Sequence, residues 1–188
     1  MSGRYLGAVR VVVVRHGCAG EKRRWNGDDA DRPLDAAGER QSAALAAVLD
    51  EAGLGLRRLI SSPTRRCRDT LIPLGRRLGL PIEDDPGLAT GGDDGTLVRA
   101  IARPSALGAV LSTHGELMQP LLAGLRDEGV PLIADRDDDE WLLAKGTAWV
   151  LDLAADGSVA ALRHLAPDPF HSCAAHDPSG TPEPAPPP

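Results

Sequence analysis

The chain has 188 residues, 42% of them hydrophobic, enough for one globular domain, and only 3% aromatic, so its core must be aliphatic. A formal net charge of -6 and a pI near 5.3 exclude the basic footprint of a nucleic-acid binder. No basic stretch leads into a signal-like apolar segment and no apolar run is long enough to span a bilayer, so a cytoplasmic location without a membrane partner is expected.

Along the chain, the run from Val9 to Val14 predicts a buried strand, and it ends in Arg15-His16-Gly17. A cation and a potential nucleophile at the rim of a sheet make a phosphate-handling arrangement. The loop from Gly17 to Pro33 interleaves Lys22, Arg23, Arg24 and Trp25 with Glu21, Asp28, Asp29 and Asp31. Arg24 could hold a further substrate phosphate and Trp25 could stack on a base, or the loop could simply be solvated. Apolar residues Leu45, Val48, Leu49 and Ala52 share one face of a helix predicted from Asp35 to Ala52, stopped by Gly53.

Leu59 to Ser61 reads as a short strand that feeds a helix through Ser62 as N-cap and Pro63 as first helical residue, with Arg66 in the first turn. That helix runs toward Leu78, and Pro73 is expected to kink or break it. Helical spacing recurs in Thr96 to Ala102. Gly108 to Thr113 is another apolar strand, ending in His114-Gly115 before the helical stretch of Leu117, Leu121, Leu122 and Leu125, where Pro120 is a point of strain.

Asp135 to Glu140 reads as a solvated acidic loop, and Lys145-Gly146 either faces the site or simply begins a strand, the second reading being preferred. Thr147 to Leu153 and Ser158 to Leu165 flank the hairpin signal Asp156-Gly157 and are expected to extend the sheet antiparallel at one edge. From Pro167 onward eight of the last 22 residues are proline, which predicts a disordered tail or one ordered by a partner. Three cysteines, Cys18, Cys67 and Cys173, form an odd set without metal-ligand spacing and are expected to be reduced thiols, with Cys18 either an oxidation-sensitive rim thiol or, in preference, a passive small side chain. His171, Cys173 and His176 lack a fourth ligand, so no metal is expected, and nothing calls for a cofactor.

Three predicted strand ends thus carry Arg15-His16, Arg66 and His114, and open α/β sheets bind ligands beyond the carboxyl ends of their strands. Taken singly, each histidine would be a satisfied core residue and each arginine an ion-pair partner. Their coincidence at strand ends points to catalysis. Phosphoryl transfer needs positioning and cationic stabilisation of charge on three equatorial oxygens, and two arginines with a histidine supply it. A neutral imidazole is nucleophilic near neutral pH when its other nitrogen is held as N–H, so His16 can form a phosphohistidine that water then hydrolyses.

These elements resemble the histidine phosphatase superfamily, the phosphoglycerate mutase-like fold, over roughly residues 8 to 165. The resemblance implies an α/β three-layer sandwich: a mostly parallel central sheet, helices on both faces and antiparallel edge strands near the C-terminus. Residues 1–166 would form that domain and 167–188 the Pro-rich tail. It further implies His16 as nucleophile, Arg15 and Arg66 as phosphate clamps, and His114 as second site histidine, with Gly17 and Gly115 beside the substrate. Arg66 is chosen over Arg65 because Pro63, Arg66 and Thr70 fit the family's frame.

Many members carry a glutamate in a Leu-X-Glu segment that protonates an alcohol leaving group, whereas here the segment reads Leu88-Ala89-Thr90. An alkoxide, with a conjugate acid near water's pKa of about 15.7, needs that proton. A departing phosphate, with a second pKa near 6, does not. The expected substrate is therefore a small phosphorylated molecule with a good leaving group, such as a nucleoside diphosphate, or a phosphohistidine protein. SixA-type phosphohistidine phosphatases look similar here, continuing into Gly-Asp as Gly92-Asp93 does. So does the phosphatase domain of bacterial MutT-type nucleotide-sanitation hydrolases, through Trp25, Arg32-Pro33-Leu34-Asp35 and Ser112 to Glu116; we expect this domain without a preceding Nudix-type segment. Asp93, Asp94 or Glu116 could replace the acid, and a sugar-phosphate phosphatase or a non-catalytic phospho-ligand binder are the alternatives.

Overall fold

Strict alternation along strand β1 (Val9–Arg15) sends Val11 and Val13 into one apolar layer and Val12 and Val14 into another, and all four are fully buried. A strand covered on both faces belongs inside a layered α/β architecture. The computed structural model describes residues 9–93, 95–136, 139–167 and 173. Besides β1 it contains β2 (Arg58–Ser61), β3 (Ile82–Asp84), β4 (Ala109–Thr113), β5 (Leu132–Ile133), β6 (Ala148–Leu153) and β7 (Val159–Leu165). They form a single sheet in the order β3-β2-β4-β1-β6-β7-β5. The pairs β3-β2, β2-β4, β4-β1 and β7-β5 are parallel, whereas β1-β6 and β6-β7 are antiparallel.

Helices α1 (Ala36–Glu51) and α2 (Arg65–Leu78) cover one face, where Leu45, Leu49, Leu71 and Leu74 meet Val12, Val14 and Val150. On the other face lie α3 (Thr96–Ile101), α4 (Gly115–Asp127) and α5 (Asp139–Leu142). Leu97, Leu117, Met118 and Trp149 pack there against Val11, Val13 and Leu111, and the Trp149 indole N–H donates to the Leu142 carbonyl at 2.8 Å. The expected α/β sandwich, mostly parallel with antiparallel C-terminal strands, is therefore the one observed. No helix among the described residues is long and apolar enough to cross a membrane.

Several local expectations are corrected. The helix after β2 starts at Arg65 with Thr64 at the cap, not at Ser62-Pro63, because the Ser62 hydroxyl is engaged by His114 at 3.0 Å. Pro73 neither breaks α2 nor strands a carbonyl, since the Ser42 hydroxyl from α1 donates to the Thr70 carbonyl at 2.8 Å and reaches that of Asp69, four residues before the proline, at 3.3 Å. The acidic stretch is not all loop, because Asp139 to Leu142 makes a helical turn. The outermost strand beyond the late hairpin is the short β5. Lys145 and Gly146 precede β6 rather than opening it.

Cys18 and Cys173 are joined as a disulfide with Cα atoms 5.6 Å apart, which overturns the expectation of three reduced thiols. Compartment arguments from an odd cysteine count could not foresee that residue 173 returns to the nucleophile loop across a sequence separation of 155. Cys67 stays free and buried, its thiol pushed up to about 11 by burial. The calls for a disordered tail, and for His171 and His176, fall outside the described residues, as does Asp94.

Candidate active site

Parallel pairing of β1 with β4 sets Arg15 opposite Thr113, so the residues that follow each strand emerge side by side. The His16 amide donates to the Thr113 carbonyl at 3.1 Å, and the His16 and His114 rings stand edge to face with centroids 5.2 Å apart. On the other side of β4, the Ser62 amide donates to the Ser112 carbonyl at 2.9 Å, which brings the first turn of α2, and Arg66 with it, to the same rim. The structure thus gathers Arg15, His16, Arg66 and His114 at the carboxyl ends of three adjacent strands.

The loop after His16 is held through its backbone amides and carbonyls by side chains and backbone of α1 and α2 and the residue that caps α1. The Gly17 amide donates to the Thr70 hydroxyl at 3.0 Å, and that hydroxyl donates to the Arg66 carbonyl at 2.7 Å. The Cys18 amide donates to Gln41 Oε1 at 2.8 Å, and the Asp35 amide to the Cys18 carbonyl at 3.0 Å. Gly17 tolerates no side chain easily, since a Cβ would lie 3.0 Å from the Gly38 carbonyl oxygen. Gly115 is required by Arg15, whose guanidinium would lie 2.8 Å from a Cβ there.

His16 Nδ1 lies 2.7 Å from the Gly17 carbonyl oxygen, an acceptor only, so Nδ1 carries the proton and Nε2 keeps its lone pair. Burial lowers the His16 pKa to about 3, against the Gly17 hydrogen bond and together with the charges of Arg66 and Lys145. The ring is therefore neutral across the physiological range. His114 turns Nε2 inward to Ser62 Oγ at 3.0 Å and Thr64 Oγ1 at 3.4 Å, leaving Nδ1 beside Arg66 Nη2 at 3.5 Å. Because a serine hydroxyl can donate or accept, His114 Nδ1 can present either a lone pair or a proton. Burial and the Arg66 charge lower its pKa to about 4.

Arg66 is 3% exposed and donates through Nη1 to the Asp29 carbonyl at 2.6 Å, while Nη2 lies 3.3 Å from Asp29 Oδ2. Arg15 donates through Nη1 to the Leu143 carbonyl. The Nε groups of both arginines are buried without a partner among the described residues. Two fixed guanidinium groups with unmet donors beside a neutral imidazole are chemically able to bind a tetrahedral anion.

The remaining expected contacts are placed less centrally. Trp25 is 37% exposed with its indole N–H on the Asp28 carbonyl at 2.8 Å, and Arg24 lies on the exposed loop 3.5 Å from Glu21. Glu116 is exposed on the first turn of α4, within electrostatic reach of Arg15 and His114. Asp93 is committed to Arg99 at 2.7 Å and to the Gly95 amide at 3.0 Å, and its Arg99 partner holds its carboxyl below the usual range. No group of three potential metal ligands occurs among the described residues.

Sequence reasoning missed two residues, Gln41 and Asp29, and preferred a strand start over a place beside the site for a third, Lys145. Gln41 is fully buried and lies in line with Leu45 and Leu49 at four-residue steps, so a polar residue on an apolar stripe was a readable signal. Asp29 was one acid among several in its loop, with nothing to single it out. Lys145 is half-buried near the site, and its pKa is lowered by burial and by the charges of Arg15, Arg32 and Arg66.

Comparison with known proteins agrees with this architecture. Residues 11–90 match the family Histidine phosphatase superfamily (branch 1). An 8-oxo-(d)GTP phosphatase of Mycolicibacterium smegmatis is 33% identical over 170 residues, covering 84% of this chain and 48% of that protein. The chain thus spans about half the length of this curated relative. SixA from Agrobacterium tumefaciens superimposes with a TM-score of 0.65 at 22% identity, over 85% of this chain and 99% of that one. A protein histidine phosphatase SixA complexed with tungstate gives 0.61 at 23% identity, over 83% and 94%. At these identities the two structures are similar in fold.

Proposed function

From the membership of this chain in the histidine phosphatase superfamily, we propose that it is a phosphohydrolase acting through a phosphohistidine at His16 Nε2, on small substrates whose leaving group is itself a phosphate, such as nucleoside diphosphates. In the first step the Nε2 lone pair attacks the terminal phosphorus and the bridging P–O bond breaks. The nucleoside monophosphate departs with the bonding electrons. Water then attacks the phosphohistidine, releasing orthophosphate and a proton and restoring neutral His16. Arg15, Arg66 and His114 Nδ1 face the equatorial oxygens, where charge accumulates.

The observation that carries this reading is the state of the carboxylates whose charge reaches His114, namely Asp29 and Glu116. Burial favours the neutral form of Asp29, but the Arg32 hydrogen bond and the charges of Arg66, Arg32 and Lys22 outweigh it and keep the carboxyl ionised. Glu116 is exposed to solvent. Asp29 is thus not the protonated acid that an alkoxide leaving group requires, whereas a phosphate leaves as a weak base. The relative named 8-oxo-(d)GTP phosphatase supports a nucleotide substrate.

The test has two parts. Acid-quench trapping with a terminally labelled nucleoside diphosphate should give a labelled protein that His16→Ala does not, with turnover lowered at least about 1,000-fold, the order expected for loss of a nucleophile. A nucleoside diphosphate should also exceed a sugar monophosphate in kcat/KM by at least tenfold. Faster turnover of the alkyl phosphate would transfer the protein to the sugar-phosphate phosphatases.

A further inference from the structure

The loop from Leu143 to Gly146 is built into the site at both ends of its span. The Leu143 carbonyl accepts from the Arg15 guanidinium, the Gly146 amide donates to the Arg15 carbonyl at 3.1 Å, and the Arg15 amide donates to the Thr147 carbonyl at 3.2 Å. Gly146 has φ +74°, and a Cβ there would lie 2.7 Å from the Gln41 side chain, the same side chain that fixes the Cys18 amide. This clamp holds Lys145 at the edge of a cleft of about 390 Å³ lined also by Cys18, Ala19, Gly20, Glu21, Asp35 and Cys173, among others. The cleft borders the loop that follows His16, through Cys18, Ala19 and Gly20.

Lys145 is half-buried and makes no hydrogen bond or ion pair among the described residues. Of the two carboxylates in the cleft wall, Glu21 pairs with Arg23 at 2.7 Å and with Arg24 at 3.5 Å, and Asp35 is already committed. Its Oδ2 accepts from the Gly20 amide at 2.7 Å and its Oδ1 from the Gly38 amide at 2.8 Å, as the cap of α1. Arg32 is likewise spent on the Ala19 and Gly20 carbonyls and Asp29. A half-buried ammonium facing other cations raises the energy of the empty site, and an anion in the cleft reverses that cost.

We propose that Lys145 and this cleft form a second phosphate subsite, holding the phosphate that becomes the leaving group while Arg15 and Arg66 hold the transferred one. As the bridging P–O bond lengthens, negative charge grows on the leaving phosphate, and an ammonium there stabilises it more in the transition state than in the ground state. Lys145 then assists departure of the leaving group by charge, without the proton that a Leu-X-Glu glutamate would give. This assignment deepens the diphosphate reading and rests on it, but binding of two linked phosphates can be measured separately from turnover.

Two ratios decide it. The first is kcat/KM for adenosine diphosphate over that for p-nitrophenyl phosphate, which should fall at least tenfold in Lys145→Ala and recover most of its value in Lys145→Arg. The second is the inhibition constant of orthophosphate over that of pyrophosphate, with p-nitrophenyl phosphate as substrate. In the wild type pyrophosphate should bind at least tenfold tighter than orthophosphate, and Lys145→Ala should erase most of that advantage. If adenosine diphosphate is not hydrolysed but the inhibition ratio behaves as stated, the subsite stands and the diphosphatase reading falls. A pyrophosphate advantage absent from the wild type, or unchanged by Lys145→Ala, overturns the subsite itself.

Discussion

At the scale of single residues the site was partly legible, and the division follows chemistry. Arg15, His16 and His114 each sit at the end of an apolar run, where hydrophobic patterning locates them without coordinates, and Arg66 is picked out by the family frame of Pro63, Arg66 and Thr70. Asp29 has no such frame, because its importance comes from the fold bringing a loop carboxylate and carbonyl onto Arg66. Its role is double: the carbonyl aims the guanidinium, and the carboxylate opposes an incoming phosphate. Asp29→Asn keeps the carbonyl and removes the charge. A unit charge a few ångströms from a partly buried anion is worth roughly 1–2 kcal/mol, so inhibition by orthophosphate should tighten by about tenfold in this variant. Competitive inhibition kinetics measure it, and weaker binding would show instead that the carboxylate is needed to hold Arg66 in place.

Between elements, the contact of α1 with the nucleophile loop and with α2 determines the geometry. Gly38 is the closest approach, since a Cβ there would fall 2.0 Å from the Cys18 carbonyl oxygen, a backbone atom with little freedom to move. Gly38→Ala must push α1 and the loop after His16 apart. A loss of about 1–3 kcal/mol in urea stability is expected from overpacking. A fall of at least tenfold in kcat should accompany it at temperatures where the protein stays folded, because His16 is aimed from this loop. A fully active Gly38→Ala would mean the loop is not positioned by α1. Ser42 illustrates what sequence rules leave out. Proline in a helix predicts a break, yet a hydroxyl on the neighbouring helix reaches the carbonyls of Asp69 and Thr70, and α2 continues. Only a tertiary neighbour provides that donor, so no reading confined to α2 could have found it. Ser42→Ala should cost about 1 kcal/mol by equilibrium unfolding.

For the whole molecule, three histidines are stored uncharged. Burial lowers His16 to about 3 and His114 and His164 to about 4, whereas in the unfolded chain each titrates near 6.5. Above pH 6.5 neither state holds these protons and the stability is fully present. As the pH falls below 6.5 the unfolded chain takes up protons that the folded one refuses, so stability drops by about 1.4 kcal/mol per pH unit for each ring, until the folded rings titrate near pH 4 and below. Three rings together give a slope on the order of 4 kcal/mol per pH unit, a large share of the roughly 5–15 kcal/mol that holds a domain together. Urea midpoints should therefore decline steeply between pH 6.5 and 5. His164 isolates one part of this, because it packs against Trp141 and Trp149 with ring centroids 5.5 and 5.0 Å away, and its Nε2 has no partner among the described residues. His164→Gln should remove about one third of the slope. Catalysis should follow a different course over the same range, since His16 remains an uncharged nucleophile down to about pH 3 and only the folded fraction diminishes. Brief assays at pH 5.5, started from enzyme stored at pH 7.5, should retain most of their kcat while the urea midpoint has already fallen. Loss of kcat with an apparent pKa near 6.5 would instead place a proton on His16 in the folded enzyme, and with it a solvated ring rather than the buried one described above.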